Sequence, residues 1–317
     1  MLKIFIIGPI NGLKNRLDNN QYYLLNYIKN NSNFEIKFME HPKFTNNKEN
    51  LNFPDNTILY FVCFNPDLSN LKNINNLLLI YDQWDLYCTC GYKCLGNKKC
   101  GFIKHFNNNK LKSYDYIISR FETYLTLKYF KNISKFGYYM NNNIFKDWKL
   151  EKKYDILFYG NINNKSYPFR NRLYYLIQKI KDLNVKIIPY SARLRKQKKL
   201  LSGMELSKLI NQSWITISTK ATIDALLQKY YEIGFSKSVI CGDYPDLEKD
   251  IVIKKNMILI DHTMTDKEIL EKIKNSLNNK DKLIDMSNKC YEHMVNNYTY
   301  ENGLLNFENI INNISKN

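Results

Sequence analysis

No apolar run in this sequence approaches the roughly 20 residues that a membrane-spanning helix needs. The amino terminus, Met1-Leu2-Lys3-Ile4-Phe5-Ile6-Ile7-Gly8-Pro9-Ile10, is apolar over too short a stretch for a signal peptide and has no cleavage-type segment. It reads as a first strand, and the expected location is cytoplasmic, in the cell or in a host if the source is a virus. Triplets such as Asn132-Ile133-Ser134 are then not glycosylation signals. They follow from heavy use of Asn, which with Lys and Ile points to an AT-rich genome. No repeat has a solenoid period, so stacked-repeat architectures are excluded. Acidic residues are scarce: 30 against 47 Lys and Arg, a net charge of +17. Such a surface attracts polyanions, anionic membrane or phosphorylated substrates through its long-range field, or simply reflects lysine use on a solvated face.

What is present is enough for two domains of ordinary size: 317 residues, 44% of them hydrophobic. Leu2–Ile7 is a strand candidate leading into a loop with Gly8, Asn11 and Gly12 and then a helix from about Asp18 to Asn30. Strand, glycine loop, helix is how a Rossmann-like unit begins, although the G-x-G-x-x-G fingerprint is absent. Further strands are expected at Phe34–Glu40, Thr57–Phe64, Leu77–Tyr81, Tyr114–Ser119 and Lys135–Tyr139, with a helix at Phe121–Phe130. Asp82 and Asp85 follow the Leu77–Tyr81 strand. Carboxylates there either orient or deprotonate an acceptor hydroxyl, or serve as ordinary turn residues. Four of the seven cysteines, Cys88, Cys90, Cys94 and Cys100, crowd one stretch. A structural zinc, paired disulfides and free thiols all stay open, since the spacing is not that of paired C-x2-C units. Four thiolates on one zinc would leave no position for catalysis.

The second half carries the most informative stretch, Trp214 to Asp246. It reads as strand (Trp214–Ser218), turn, helix with Leu226, Leu227, Tyr230, Tyr231 and Ile233 at helical spacing, strand (Ser238–Cys241) and turn. Asp224 and Glu232 stand eight positions apart, on one side of a continuous helix, or with Asp224 at the helix start. Acid, seven residues, acid, a small-residue segment and a strand resemble the donor-site element of GT-B glycosyltransferases with an E-x7-E pattern. The sequence is most similar to family-1-like domains related to spore-coat maturation proteins. Two positions depart from that pattern. The first acid is Asp, and Lys237 stands where the family usually has Gly.

The resemblance implies two Rossmann-like α/β domains facing a cleft: 1–147 on the acceptor side, 148–300 binding the nucleotide sugar, and 301–317 a helix returning to the first domain. It implies transfer of a sugar from a nucleotide-diphosphate sugar to a glycan, protein or lipid-linked acceptor, with retention and without a catalytic metal cofactor. Glu232 would take the ribose and Asp224 the sugar. The loop after the Tyr154–Tyr159 strand, with Gly160 and Lys165, and the helix opened by Pro168 with Arg170 and Arg172, would grip the diphosphate. Lys220 would help, Tyr190 would flank the base, and Ser236 would join the donor site. Gly8, Asn11 and Gly12 would face the same cleft. The basic run Arg193–Lys199 would hold a phosphorylated or lipid-linked acceptor, or nucleic acid, or stay solvated. A catalytically inactive binding or structural protein of this fold, and a basic nucleic-acid-binding protein, are the alternatives.

Overall fold

The computed structural model describes residues 2–11, 20–41, 51–62, 77–83, 114–119, 132–164, 166–190, 201, 203–221, 224–246 and 248–316. Of the expected elements, the Phe121–Phe130 helix lies outside these residues. So do Gly12, Asp85, Lys165, the basic run Arg193–Lys199 and all four clustered cysteines. The chain divides into two compact units, residues 1–138 with 300–317, and residues 139–299.

In the first unit the strands are β1 (Lys3–Gly8), β2 (Glu35–Glu40), β3 (Thr57–Val62), β4 (Leu77–Gln83), β5 (Tyr116–Ser119) and β6 (Ile133–Lys135), with helix α1 (Asn20–Asn31) between β1 and β2. All pairings are parallel, in the order β2-β1-β3-β4-β5-β6. Strands covered on both faces read as unbroken apolar runs, and β3 is buried at every position. Ile7, Leu59, Phe61, Leu77 and Leu79 share one face with Phe53 and Tyr114. The alternation of side chains puts Tyr60 on the other face.

Two expectations change here. The strand foreseen at Lys135–Tyr139 instead spans Ile133–Lys135, in register with Ile117–Ser119. Asp82, foreseen just past β4, lies inside it, paired with Val62 on one side and Ile118 on the other. The neighbouring strands extend far enough to carry β4 two residues further.

The second unit contains β7 (Tyr154–Asn161), α2 (Pro168–Ile177), β8 (Val185–Tyr190), α3 (Gly203–Asn211), β9 (Ser213–Ile217), α4 (Gln228–Phe235), β10 (Val239–Gly242), α5 (Ile251–Lys255), β11 (Met257–Leu259), α6 (Asp266–Leu277) and α7 (Lys280–Asn297). Its parallel sheet runs β11-β10-β9-β7-β8. Ile156, Phe158, Ile215, Ile217, Val239 and Cys241 form one sheet face. They pack against Leu173 and Ile177 of α2 and Ile269 and Ile273 of α6. Burying such side chains stabilises by about 25 cal/mol per Å2 of apolar surface.

Residues 139–147, expected with the first domain, cluster with the second unit. The cause is polar. The Asp147 carboxylate binds Lys237 Nζ at 2.9 Å and Asn211 Nδ2 at 3.1 Å, and the Trp148 indole donates to Ser207 at 2.9 Å.

The last helix, α8 (Tyr300–Ser315), belongs to the first unit. Its Phe307 meets Tyr60 and Phe136 edge-on, and so covers the β3 face opposite Phe61. Glu308 accepts from the Ser32 hydroxyl and the Asn33 amide at the end of α1.

Candidate active site

In the second unit the chain leaves β7 to form β8 on one side, then returns to form β9 on the other. The strand order therefore reverses between β7 and β9. Open parallel sheets hold their ligands outside the carboxyl ends of the strands at such a point. The residues gathered there come from Gly160–Asn161 at the end of β7, Ser218–Lys220 after β9, Asp243 after β10, Arg170 of α2 and the first two turns of α4.

Arg170 bridges the crevice. Its Nε donates to Thr219 Oγ1 at 3.1 Å and its Nη2 to the Thr219 carbonyl at 2.7 Å. The Tyr167 ring lies 4.1 Å from the guanidinium carbon, and the side chain is buried. Burial lowers its pKa from the ordinary arginine value. Arg172, the other basic candidate on this helix, points elsewhere. It binds Asp266 and the carbonyls of His262 and Met264, clamping the start of α6.

Glu232 is buried and held at both oxygens. The Tyr159 hydroxyl donates to Oε2 at 2.7 Å, and Gln228 donates to Oε1 at 2.9 Å from one helical turn earlier. Burial first, then the adjacent carboxylate, pushes the Tyr159 hydroxyl well above its ordinary value. That keeps the tyrosine a donor.

Asp224 is not a helical residue, as the continuous-helix reading had it. α4 begins at Gln228, and Asp224 sits before it with φ +53°. A left-handed conformation is costly for most side chains, but Asp tolerates it better than most. Its Oδ1 lies 2.7 Å from Lys220 Nζ, and its Oδ2 accepts from the Asp246 amide at 3.1 Å. Sequence reasoning assigned Asp224 to the sugar and Lys220 to the diphosphate; the fold makes them an ion pair. The Lys220 amide in turn donates to Asp243 Oδ1 at 2.8 Å. Burial pushes the Asp243 carboxyl up to about 6.

The other candidates fall as follows. Gly160 is the last residue but one of β7 and has φ +104°, a conformation glycine alone adopts readily. Tyr190 ends β8 opposite Asn161. Ser236 does not join the cluster: it closes the far end of α4, fully buried, and exchanges a 2.9 Å hydrogen bond with Ser207. Gly8 and Asn11 lie in the first unit. A Cβ at Gly8 would stand 2.5 Å from the Val62 carbonyl, so the neighbouring strand accounts for this glycine. The Asn11 amide donates to Glu40 at 2.6 Å. Among the described residues no group of three or more His, Cys, Asp or Glu side chains could hold a metal ion.

Sequence reasoning missed Tyr159, Thr219, Asp243 and above all Lys229, whose ammonium sits against Gly160. The available signal was its spacing of three from Glu232, which puts both on one helix face.

The chain matches no known family profile and no curated protein sequence. Solved structures do resemble it. Sucrose-phosphate synthase from Thermosynechococcus elongatus aligns over 99% of both chains, with a TM-score of 0.69 and 9% identity. T4 phage BGT in complex with its UDP-glucose substrate covers 98% of this chain and 99% of its own, with a TM-score of 0.54 and 13% identity. The DNA modifying enzyme beta-glucosyltransferase, with the substrate uridine diphosphoglucose, covers the same shares at a TM-score of 0.52 and 12% identity. Likeness at these identities establishes architecture, and the architecture of this chain is the GT-B fold, two Rossmann-like α/β domains.

Proposed function

We propose that the protein is a glycosyltransferase that binds a nucleoside-diphosphate sugar, a UDP-sugar first among them, and passes the sugar to an acceptor hydroxyl with retention. The observation that carries this reading is Glu232, a buried carboxylate oriented at both oxygens, whose partner Tyr159 also feels the buried Arg170 guanidinium, at the strand-order reversal. An ionised carboxylate accepts about four hydrogen bonds, so ribose hydroxyls can join Tyr159 and Gln228. Structures of the same fold that hold UDP-glucose support the choice of donor.

In this reading Arg170 and Lys165 oppose the negative charge that gathers on the diphosphate as the glycosidic bond breaks. Fixed cations in a water-poor site are worth far more than in solution. The Lys220–Asp224 pair lies toward the sugar as one polar unit. The departing phosphate accepts the proton of the acceptor hydroxyl, so no separate protein base is required.

Isothermal titration with UDP, GDP and dTDP sugars tests the reading. Glu232→Ala is expected to weaken nucleotide binding about tenfold or more, the cost of a charged hydrogen-bonding pair. Unchanged affinity in that variant would sink the site. Release of free sugar from the donor by the wild type, and none by a Glu232→Ala protein of equal stability, is the expected activity readout.

A second reading, a nucleic-acid-binding protein, draws its support from the net charge of +17. Steeply salt-dependent binding to random DNA together with no affinity for nucleotides would favour it.

A further inference from the structure

Lys229 is the second residue of α4, and its side chain turns into the site. Its Nζ donates to the carbonyl of Tyr159 and stands 3.8 Å from the centre of the Tyr159 ring. A Cβ at Gly160 would come within 2.6 Å of it, and would lie 3.9 Å from Arg170 Nη1. The two basic side chains thus share one small space at the end of β7. The charged and titratable groups around Lys229 are Tyr159 from β7, Arg170 from α2 and Glu232 from its own helix. Asp243, after β10, acts on Arg170 from behind. Burial, and then the like charge of Arg170, hold the Lys229 ammonium well below the usual lysine range, while Glu232 pulls the other way.

Two basic groups therefore crowd together at a strand-order reversal, where the Glu232 carboxylate is already held by Tyr159 and Gln228. Among the described residues no side chain caps the N-terminus of α4, so the helix adds its own positive end to the same space. Glu232 and Asp243 are the carboxylates that act on this pair, and a group with two close anionic phosphates would add the charge that favours a second full cation. We propose that Lys229 meets the diphosphate of the donor and takes up a proton from solvent as the nucleotide binds. This rests on the nucleotide-sugar reading of the site. Burial and a like charge disfavour the ammonium, and an anion beside the amine favours it, so the amine gains proton affinity when the anion binds. The lysine has a flexible four-carbon stem, so it can leave the Tyr159 carbonyl for a phosphate oxygen. Gly160 keeps that path open by having no side chain.

The experiment is titration of the full chain with UDP at pH 8 in HEPES and in Tris, buffers of different ionisation enthalpy. The difference in observed heat counts protons. Wild type is expected to take up protons on binding UDP, at most one for a single amine. Lys229→Met is expected to take up none and to bind about tenfold or more weakly. Lys229→Arg is expected to hold most of the affinity with no uptake, because arginine is charged throughout. UDP binding to wild type without proton uptake overturns the proposal and leaves the Glu232 site standing. So does Lys229→Met that binds and titrates like wild type. Failure of UDP to bind wild type overturns both. Thermal melts establish that Lys229→Met is folded; if it is not, the wild-type proton count and Lys229→Arg decide.

Discussion

Gly160 and Lys229 form a unit that neither residue explains alone. Gly160 has φ +104°, and a Cβ there would strike the lysine ammonium. Gly160→Ala is expected to cost about 1–3 kcal/mol in stability, from the strained backbone. The same change should weaken UDP binding, because the displaced Lys229 no longer lies at the end of β7; urea melts and titration calorimetry measure the two effects. Lys152 gives a second prediction at this scale. Its Nζ donates to the carbonyls of Ser213 and Lys237, at 2.9 and 2.8 Å. Burial pushes its pKa down to about 8 from 10.5, against the pull of Asp147. Between those values the unfolded chain binds the proton that the folded chain has lost, so Lys152 makes stability rise with pH across that window. Lys152→Met is expected to remove that slope, read as denaturation midpoints from pH 7 to pH 10.

At the scale of elements, local chemistry wrote some boundaries and packing wrote others. The capping box of α6 is local. Thr265 accepts from the Glu268 amide, and Glu268 accepts from the Thr265 amide at 2.6 Å, as the Thr-x-x-Glu spacing implies. Thr265→Ala is expected to cost about 1 kcal/mol, measured by chemical denaturation. The start of α4 is not local. Leu226 and Leu227 fit a helical pattern, yet Asp224 turns left-handed to reach Lys220 and the Asp246 amide, and the helix waits until Gln228. Its end is instructive too. Lys237 stands in a left-handed conformation, φ +56°, where the resembling family usually has glycine. The backbone demand persists, and the ion pair with Asp147 helps a lysine to meet it. Gly234 serves a contact no pattern announces: a Cβ there would meet Met294 at 2.8 Å and Cys290 at 3.1 Å on α7.

At the scale of the whole molecule, the two units each carry their own parallel sheet and core. A ligand bound only by the second should protect that unit alone. Hydrogen exchange with saturating UDP is expected to slow amides within residues 139–299 and to leave the β1–β6 sheet unchanged. A nucleotide at about a hundred times its Kd stabilises the folded state by about 2.7 kcal/mol, which a thermal melt resolves. Protection spread evenly over both sheets would contradict a site built from the second unit.

The alternating and unbroken apolar runs, the capping box and the acid–seven–acid spacing are local patterns. They determined two parallel α/β units and pointed at Glu232, because strand and helix periodicities follow from backbone geometry that any short window displays. The partners of that carboxylate were not legible. Tyr159 stands 73 residues from Glu232 and Arg170 stands 49 from Thr219, and they meet only because the sheet reverses its order between β7 and β9. The same applies to Ser236 and Arg172, whose partners Ser207 and Asp266 come from other elements. Which charge faces which depends on distances across the sheet, and only the packed tertiary structure sets those.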